Sequence, residues 1–162
     1  MFAFVNSIPN IISVFHFGSL DHTKNDTGGY MYFINVGEQY SELFRMNING
    51  LCTGICYEFS AYLVNVVTKS SKAPKPNIRF EVRSTKNDTH KIAQNNTDEI
   101  PDFDELTWSK HTLLFNSTSD SVTLLMITEI GGKNGNDAAI DDIELRVCAN
   151  QPIASCLQCK QI

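Results

Sequence analysis

The stretch Ile78–Ser84 reads apolar and charged by turns: Ile78, Phe80 and Val82 fall on one side, Arg79, Glu81 and Arg83 on the other. A side-chain period of two marks a strand with one buried face. Runs of this β-rich kind recur near residues 2–5, 11–17, 30–35, 41–48, 56–67, 78–84, 107–115, 122–130 and 139–148. The turn-forming clusters DTGG, NINGL, KAPKP and GGKNGN separate them. Residues 86–105 are polar and acidic and read as a long surface loop. Helical periodicity is almost absent. Nine or so antiparallel strands without helices predict an all-β fold: a two-sheet antiparallel β-sandwich, a jelly roll. No repeat or linker divides the chain, so residues 1–148 form one domain and residues 149–162 a cysteine-containing C-terminal tail.

Composition narrows the function classes. Of 162 residues 42% are hydrophobic and 19% charged, as in a globular chain able to bury a sizeable core. Net charge is −5 with no basic run, which argues against nucleic-acid binding. No apolar run approaches the roughly 18 residues of a spanning helix, so membrane insertion is not expected. The opening MFAFVNSIPNIISVF lacks a basic start and is broken by Asn6, Pro9 and Asn10, a poor signal peptide.

The cysteines are Cys52, Cys56, Cys148, Cys156 and Cys159, an odd number that leaves one over or pairs it between chains. CLQC at 156–159 has the spacing of a zinc or redox half-motif, but it has no second tight pair and sits in a short tail. Structural disulfides are the expectation. N-x-S/T sequons at Asn25, Asn87, Asn95 and Asn116 lie in polar stretches where glycans fit. Cysteines and sequons together favour an extracellular or cell-surface glycoprotein; chance sequons in an Asn-rich chain are the alternative.

NGNDAAIDDIELRVC, residues 134–148, poses a question of charge. Read as one strand, Ala139, Asp141, Ile143, Leu145 and Val147 share the core face. A buried carboxylate must be paired, hydrogen-bonded or metal-bound, and no Lys or Arg shares that face. A calcium ion answers this, since it takes six to eight oxygens. Asp141 is then the core-side ligand, with Asp21 and the carbonyls of DHTKNDTGG completing the set. The alternative is that Asp141 caps backbone N–H groups of the neighbouring loop.

DHT (21–23), GGYM (28–31), CYEFSAYL, the W…LLF run from Trp108 to Phe115 and NDAAIDDIELRVC occur in an order that resembles the MAM domain, an extracellular adhesive module. The likeness is closer still to MAM-like jelly rolls of large surface and adhesin proteins, and it spans about residues 2–148. It implies a galactose-binding-like jelly roll, a structural calcium as in related carbohydrate-binding modules, and a disulfide between Cys52 and Cys148. Cys56 would then pair with Cys156 or Cys159; a short Cys52–Cys56 bridge is the alternative. The family's further strand before the position of Phe2 is missing from this sequence.

Catalytic constellations are not apparent. His16, His22, His90 and His111 lack zinc-site spacing, and His22 beside Asp21 reads as part of a loop bracing the strand ends. No serine sits in a G-x-S-x-G elbow. The acidic pairs Asp102/Asp104 and Asp98/Glu99 read as solvated surface rather than glycosidase carboxylates. Trp108 reads as core; Tyr30, Tyr32, Tyr40, Tyr57 and Tyr62 are equally compatible with sugar stacking or subunit contact. The expectation is a non-enzymatic, calcium- and disulfide-stabilised adhesive module that self-associates, a filament subunit joined by strand exchange. A carbohydrate-binding module of a larger secreted or surface protein is the alternative.

Overall fold

The computed structural model describes residues 2–11, 13–23, 25–26, 28–35, 37–69, 72–131 and 136–148. Their strands are β1 (Phe2–Val5), β2 (Met31–Ile34), β3 (Glu42–Asn49), β4 (Cys56–Asn65), β5 (Ile78–Ser84), β6 (Asn87–Asn96), β7 (Ser109–Asn116), β8 (Ser121–Thr128) and β9 (Ala138–Val147). They form a five-stranded sheet, β1-β2-β9-β4-β7, and a four-stranded sheet, β3-β8-β5-β6, with every pairing antiparallel. This is the expected all-β jelly-roll sandwich. The tail expected at 149–162, with Cys156 and Cys159, lies outside the described residues.

The inward-facing residues of each strand meet between the sheets. Tyr57, Phe59, Ala61 and Leu63 of β4 pack with Ile78, Phe80 and Val82 of β5 and Leu124 and Met126 of β8. The Phe59 and Phe80 rings are 5.1 Å apart, and both side chains are almost fully buried. Each such side chain contributes about 1.5–3 kcal/mol when removed from water.

A second cluster lies on the opposite face of the five-stranded sheet. Ile8 and Phe15 come down on Met31 and Phe33 of β2, Val64 of β4 and Ala139 of β9, with Val67 alongside. This explains why β4 is apolar on both faces at its C-terminal end. It also corrects the strand expected at 11–17. Phe15 makes only an isolated bridge to Val67, His16 N–H donates to Val66 O, and the neighbouring residues turn. The apolar run folds over a sheet rather than joining one.

A second correction concerns 86–105. Residues 87–96 form β6, an edge strand paired with β5. Most of its side chains are exposed, so it shows no apolar period. A polar edge resists pairing with foreign strands. β6 also completes an ionic lattice on the outer face of the four-stranded sheet. The fully buried Glu81 carboxylate takes Arg79 at 2.6 Å, Arg83 at 2.5 Å and Lys91 at 2.9 Å.

The disulfide differs from the pairing that the resemblance implied. Cys56 bonds Cys148, with Cα atoms 5.4 Å apart. β4 and β9 are neighbours whose register brings the start of one beside the end of the other, and Cys148 N–H donates to Cys56 O at 2.9 Å. Cys52 stands outside β4, its N–H held by the Tyr57 hydroxyl, and it too is disulfide-bonded.

Candidate functional site

The last strand does not keep one phase. Ile140 pairs with Leu63 in the core and Leu145 with Phe59, but between them the register shifts, and Asp142 takes a left-handed φ of 47°. Before this bulge the even-numbered Ala138 and Ile140 lie in the main core; after it the odd-numbered Leu145 packs against that core, while Ile143 and Val147 remain exposed. Asp141 therefore lies beside Tyr62 on the outer face, not on the core face that a single phase gave it. A bulge re-aims side chains in this way.

The two aspartates hold the DHT loop. Asp141 Oδ2 accepts from His22 N–H at 2.9 Å and its Oδ1 from Asp142 N–H at 2.8 Å. Asp142 Oδ2 lies 2.8 Å from His22 Nδ1, and its Oδ1 accepts from the Thr23 hydroxyl at 3.1 Å. His22 is thereby laid flat on Tyr62, ring centres 3.5 Å apart, with Trp108 edge-on at 6.0 Å. Trp108 itself is half-buried against the second cluster rather than in the main core.

Beside this stack opens a cavity of about 580 Å³, lined by Asn6, Ser7, Leu20, Asp21, His22, Thr23, Asn25, Asp26, Gly28 and Gly29. Asp21 and Asp26 converge on one wall. A Cβ on Gly29 would stand 1.8 Å from Asp21 Oδ2 and 2.7 Å from Asp26 Oδ2, so any other residue here displaces the two carboxylates from this arrangement. Burial and then the charges of Asp141, Asp26 and Asp142 raise the Asp21 carboxyl above the usual carboxylate value, against a smaller opposing effect of His22. Among the described residues no group of three or more His, Cys, Asp or Glu side chains is arranged to hold a metal ion.

The structure thus brings Asp21 and Asp141 of the sequence-based set to one place and adds Asp26, Gly29 and Tyr62. The double glycine GG was the visible signal for Gly29; nothing in the pattern singled out Tyr62 among the tyrosines. The sequon asparagines are all exposed. Asn25 lies in the cavity wall, Asn87 and Asn95 lie on β6, and Asn116 ends β7. Asn87 Oδ1 accepts from Thr89 N–H and hydroxyl, whereas Asn95 Nδ2 donates to Thr112 O.

No family model matches the chain, and no curated protein does. Solved structures do. One described as "CBM4 structure and function" is 14% identical, with a TM-score of 0.51 over 73% of this chain and 71% of that one. The enzymatically active domain of bacteriophage CBA120 tailspike protein 4 is 10% identical, also at 0.51, over 91% of this chain and 18% of that one. The C-terminal domain of EclA, a sugar-binding protein, is 14% identical at 0.48, over 77% and 84%. At these identities the likeness is one of fold. The chain shares a jelly-roll β-sandwich architecture with these structures.

Proposed function

We propose that the chain is a non-catalytic, extracellular carbohydrate-binding module of a larger protein. The observation that carries this reading is the 580 Å³ cavity beside the His22–Tyr62 stack. Its volume falls in the usual range of small-ligand sites. Its walls offer amide, hydroxyl and carboxylate groups at Asn6, Ser7, Thr23, Asn25, Asp21 and Asp26, suited to the hydroxyls of a sugar. Tyr30, largely exposed next to Gly29, supplies an apolar ring face of the kind that packs on pyranose C–H groups. The order of the DHT, GGYM and AIDDI motifs supports a MAM-like member of this fold. A panel of neutral and acidic glycans tests the reading: the protein binds a subset, and Asp21→Asn weakens that binding. No binding across the panel contradicts it.

A structural calcium belongs to the same proposal. Asp21 and Asp26 already crowd one point, and Asp141 keeps unused lone pairs on both oxygens. A hard cation there offsets both the burial and the neighbouring carboxylates that raise Asp21. Thermal melts should shift upward with calcium over chelator, and Asp21→Asn should abolish the shift. Superimposable melts refute the ion.

Self-association is a second reading, favoured by β1. This edge strand leaves Phe2 50% and Phe4 74% exposed. An apolar edge with unpaired backbone groups is suited to strand addition by another subunit, the adhesive filament among the possible outcomes. Light scattering decides: wild type associates and Phe4→Lys is monomeric, whereas a monomeric wild type removes the reading.

A further inference from the structure

β4 carries one buried polar side chain that its own sheet does not satisfy. Ser60 is 1% exposed, and its hydroxyl has no hydrogen-bond partner among the described residues. Phe59 and Ala61 on either side point into the core, so Ser60 points to the outer face. Its neighbours there follow from the register. Glu144 of β9 and Thr112 of β7 flank it across the sheet; Tyr62, paired with Lys110 and Asp141, stands in the adjacent row on one side, and Glu58, paired with Leu114 and Arg146, in the adjacent row on the other. Ser60 and Thr112 are the small residues of this face, and longer side chains stand around them. The Lys110–Glu58 ion pair, 2.7 Å, joins the rows on either side of Ser60. Both partners are about a third exposed, and an ion pair so placed yields readily to competing hydrogen bonds.

Depressions lie at both ends of this strip. At one end is the cavity of the DHT loop, reached past His22 and Tyr62. At the other, turning round the β7 edge towards β6 of the second sheet, is a depression of about 390 Å³ lined by Cys56, Leu114, Phe115 and Asn116 together with Ile92, Ala93 and Thr118. From Tyr62 to Cys56 along β4 is about 20 Å at the rise of an extended strand. Leu114 stands on the strip 58% exposed, an apolar surface between polar ones.

We propose that this strip extends the sugar-binding cavity, so that the ligand is a glycan chain of several units lying along β4 and β7, with the Ser60 hydroxyl as its central hydrogen-bonding anchor. The inference rests on the carbohydrate-binding reading and adds the size class of the ligand. An unpartnered buried hydroxyl is unfavourable to the free protein. A sugar hydroxyl arriving between Glu58 and Lys110 supplies the missing partner, and those two side chains serve as acceptor and donor for the neighbouring hydroxyls. Removing the hydroxyl should therefore cost binding without costing stability.

Calorimetric titration tests this with gluco-, manno-, galacto- and N-acetylglucosamine oligosaccharides, each from the single sugar to chains of several units. The protein is first treated with an N-glycan-trimming enzyme, because the sequon residue Asn116 borders the far depression. In the series that binds, affinity should rise roughly tenfold or more from single sugar to chain. Ser60→Ala should lose roughly fivefold for chains, the effect of one hydrogen bond, and nothing for the single sugar. Its melting temperature should be unchanged or higher. Binding that does not grow with length, or a Ser60→Ala variant that binds chains as wild type does, overturns the strip and leaves the cavity standing. Failure of every series to bind overturns both.

Discussion

Two carboxylates show opposite consequences of burial. Desolvation alone would raise Glu81, but hydrogen bonds from Lys91, Arg83 and Arg79 outweigh it and hold the carboxyl below its ordinary value. A depressed carboxylate stabilises the fold above its unfolded value of 4.5 and loses that contribution as pH falls through the folded value. Glu81→Gln removes the carboxylate that Arg79, Arg83 and Lys91 share over buried Leu125 and Ile127, leaving Arg79 to Glu129 and Arg83 to Asp88, and should cost about 3 kcal/mol in urea unfolding at neutral pH. The deficit should shrink in acid. Asp137 is the reverse case. Burial pushes its carboxyl up from 3.8 to about 6. The native state then binds the proton more tightly than the unfolded chain, so stability falls as pH rises from about 4 to 6. Asp137→Asn should raise stability at pH 7 by about 1–3 kcal/mol, with the gain gone near pH 4. Equal stabilities at both pH values would show that Asp137 is not strained by its charge.

At the scale of elements, β9 decides most. Its bulge at Asp142 changes the phase of alternation, and that one event puts Asp141 on the outer face and brings the DHT loop against Tyr62. A bulge inserts a residue without an obligatory sequence signal; the doublet Asp141–Asp142 is compatible with an unbroken strand. β5 was legible because one face is core and the other charged, whereas β6 was not, because an edge strand covered on one side needs only Ile92 and Ala93 inward. The run 11–17 misled because apolar content alone does not separate a strand from a lid over a sheet. The disulfide ties the start of β4 to the end of β9 across a sequence separation of 92 residues. Replacing Cys56 and Cys148 by serine should cost about 4–5 kcal/mol in the chain-entropy model, measured by denaturant unfolding. A loss under 1 kcal/mol would mean that the β4–β9 pairing already confines the unfolded chain.

At the scale of the whole molecule, the sandwich was legible from strand count and turn chemistry, whereas Asp141 was singled out on a core-facing phase that β9 does not keep, and its tie to the DHT loop rests on the hydrogen bond from His22 N–H. The strip was not legible. Ser60 is one serine in an apolar strand, and its orphaned hydroxyl exists only once β7 and β9 lie on either side of it. Tyr62 likewise acquires its role only from the loop that lays His22 upon it. The molecule has two unlike outer faces: an ion-paired lattice around Glu81 on the four-stranded sheet, and a cavity-ended polar strip on the five-stranded one. Glycan recognition by the second face is the central claim. Amide NMR spectra recorded during titration with a binding oligosaccharide test it most directly. The account predicts shifts concentrated at residues 21–23, 28–29, Ser60, Tyr62, Thr112 and Leu114, with Arg79, Glu81 and Arg83 unmoved. Shifts centred on the Glu81 lattice, with the DHT loop silent, would contradict it.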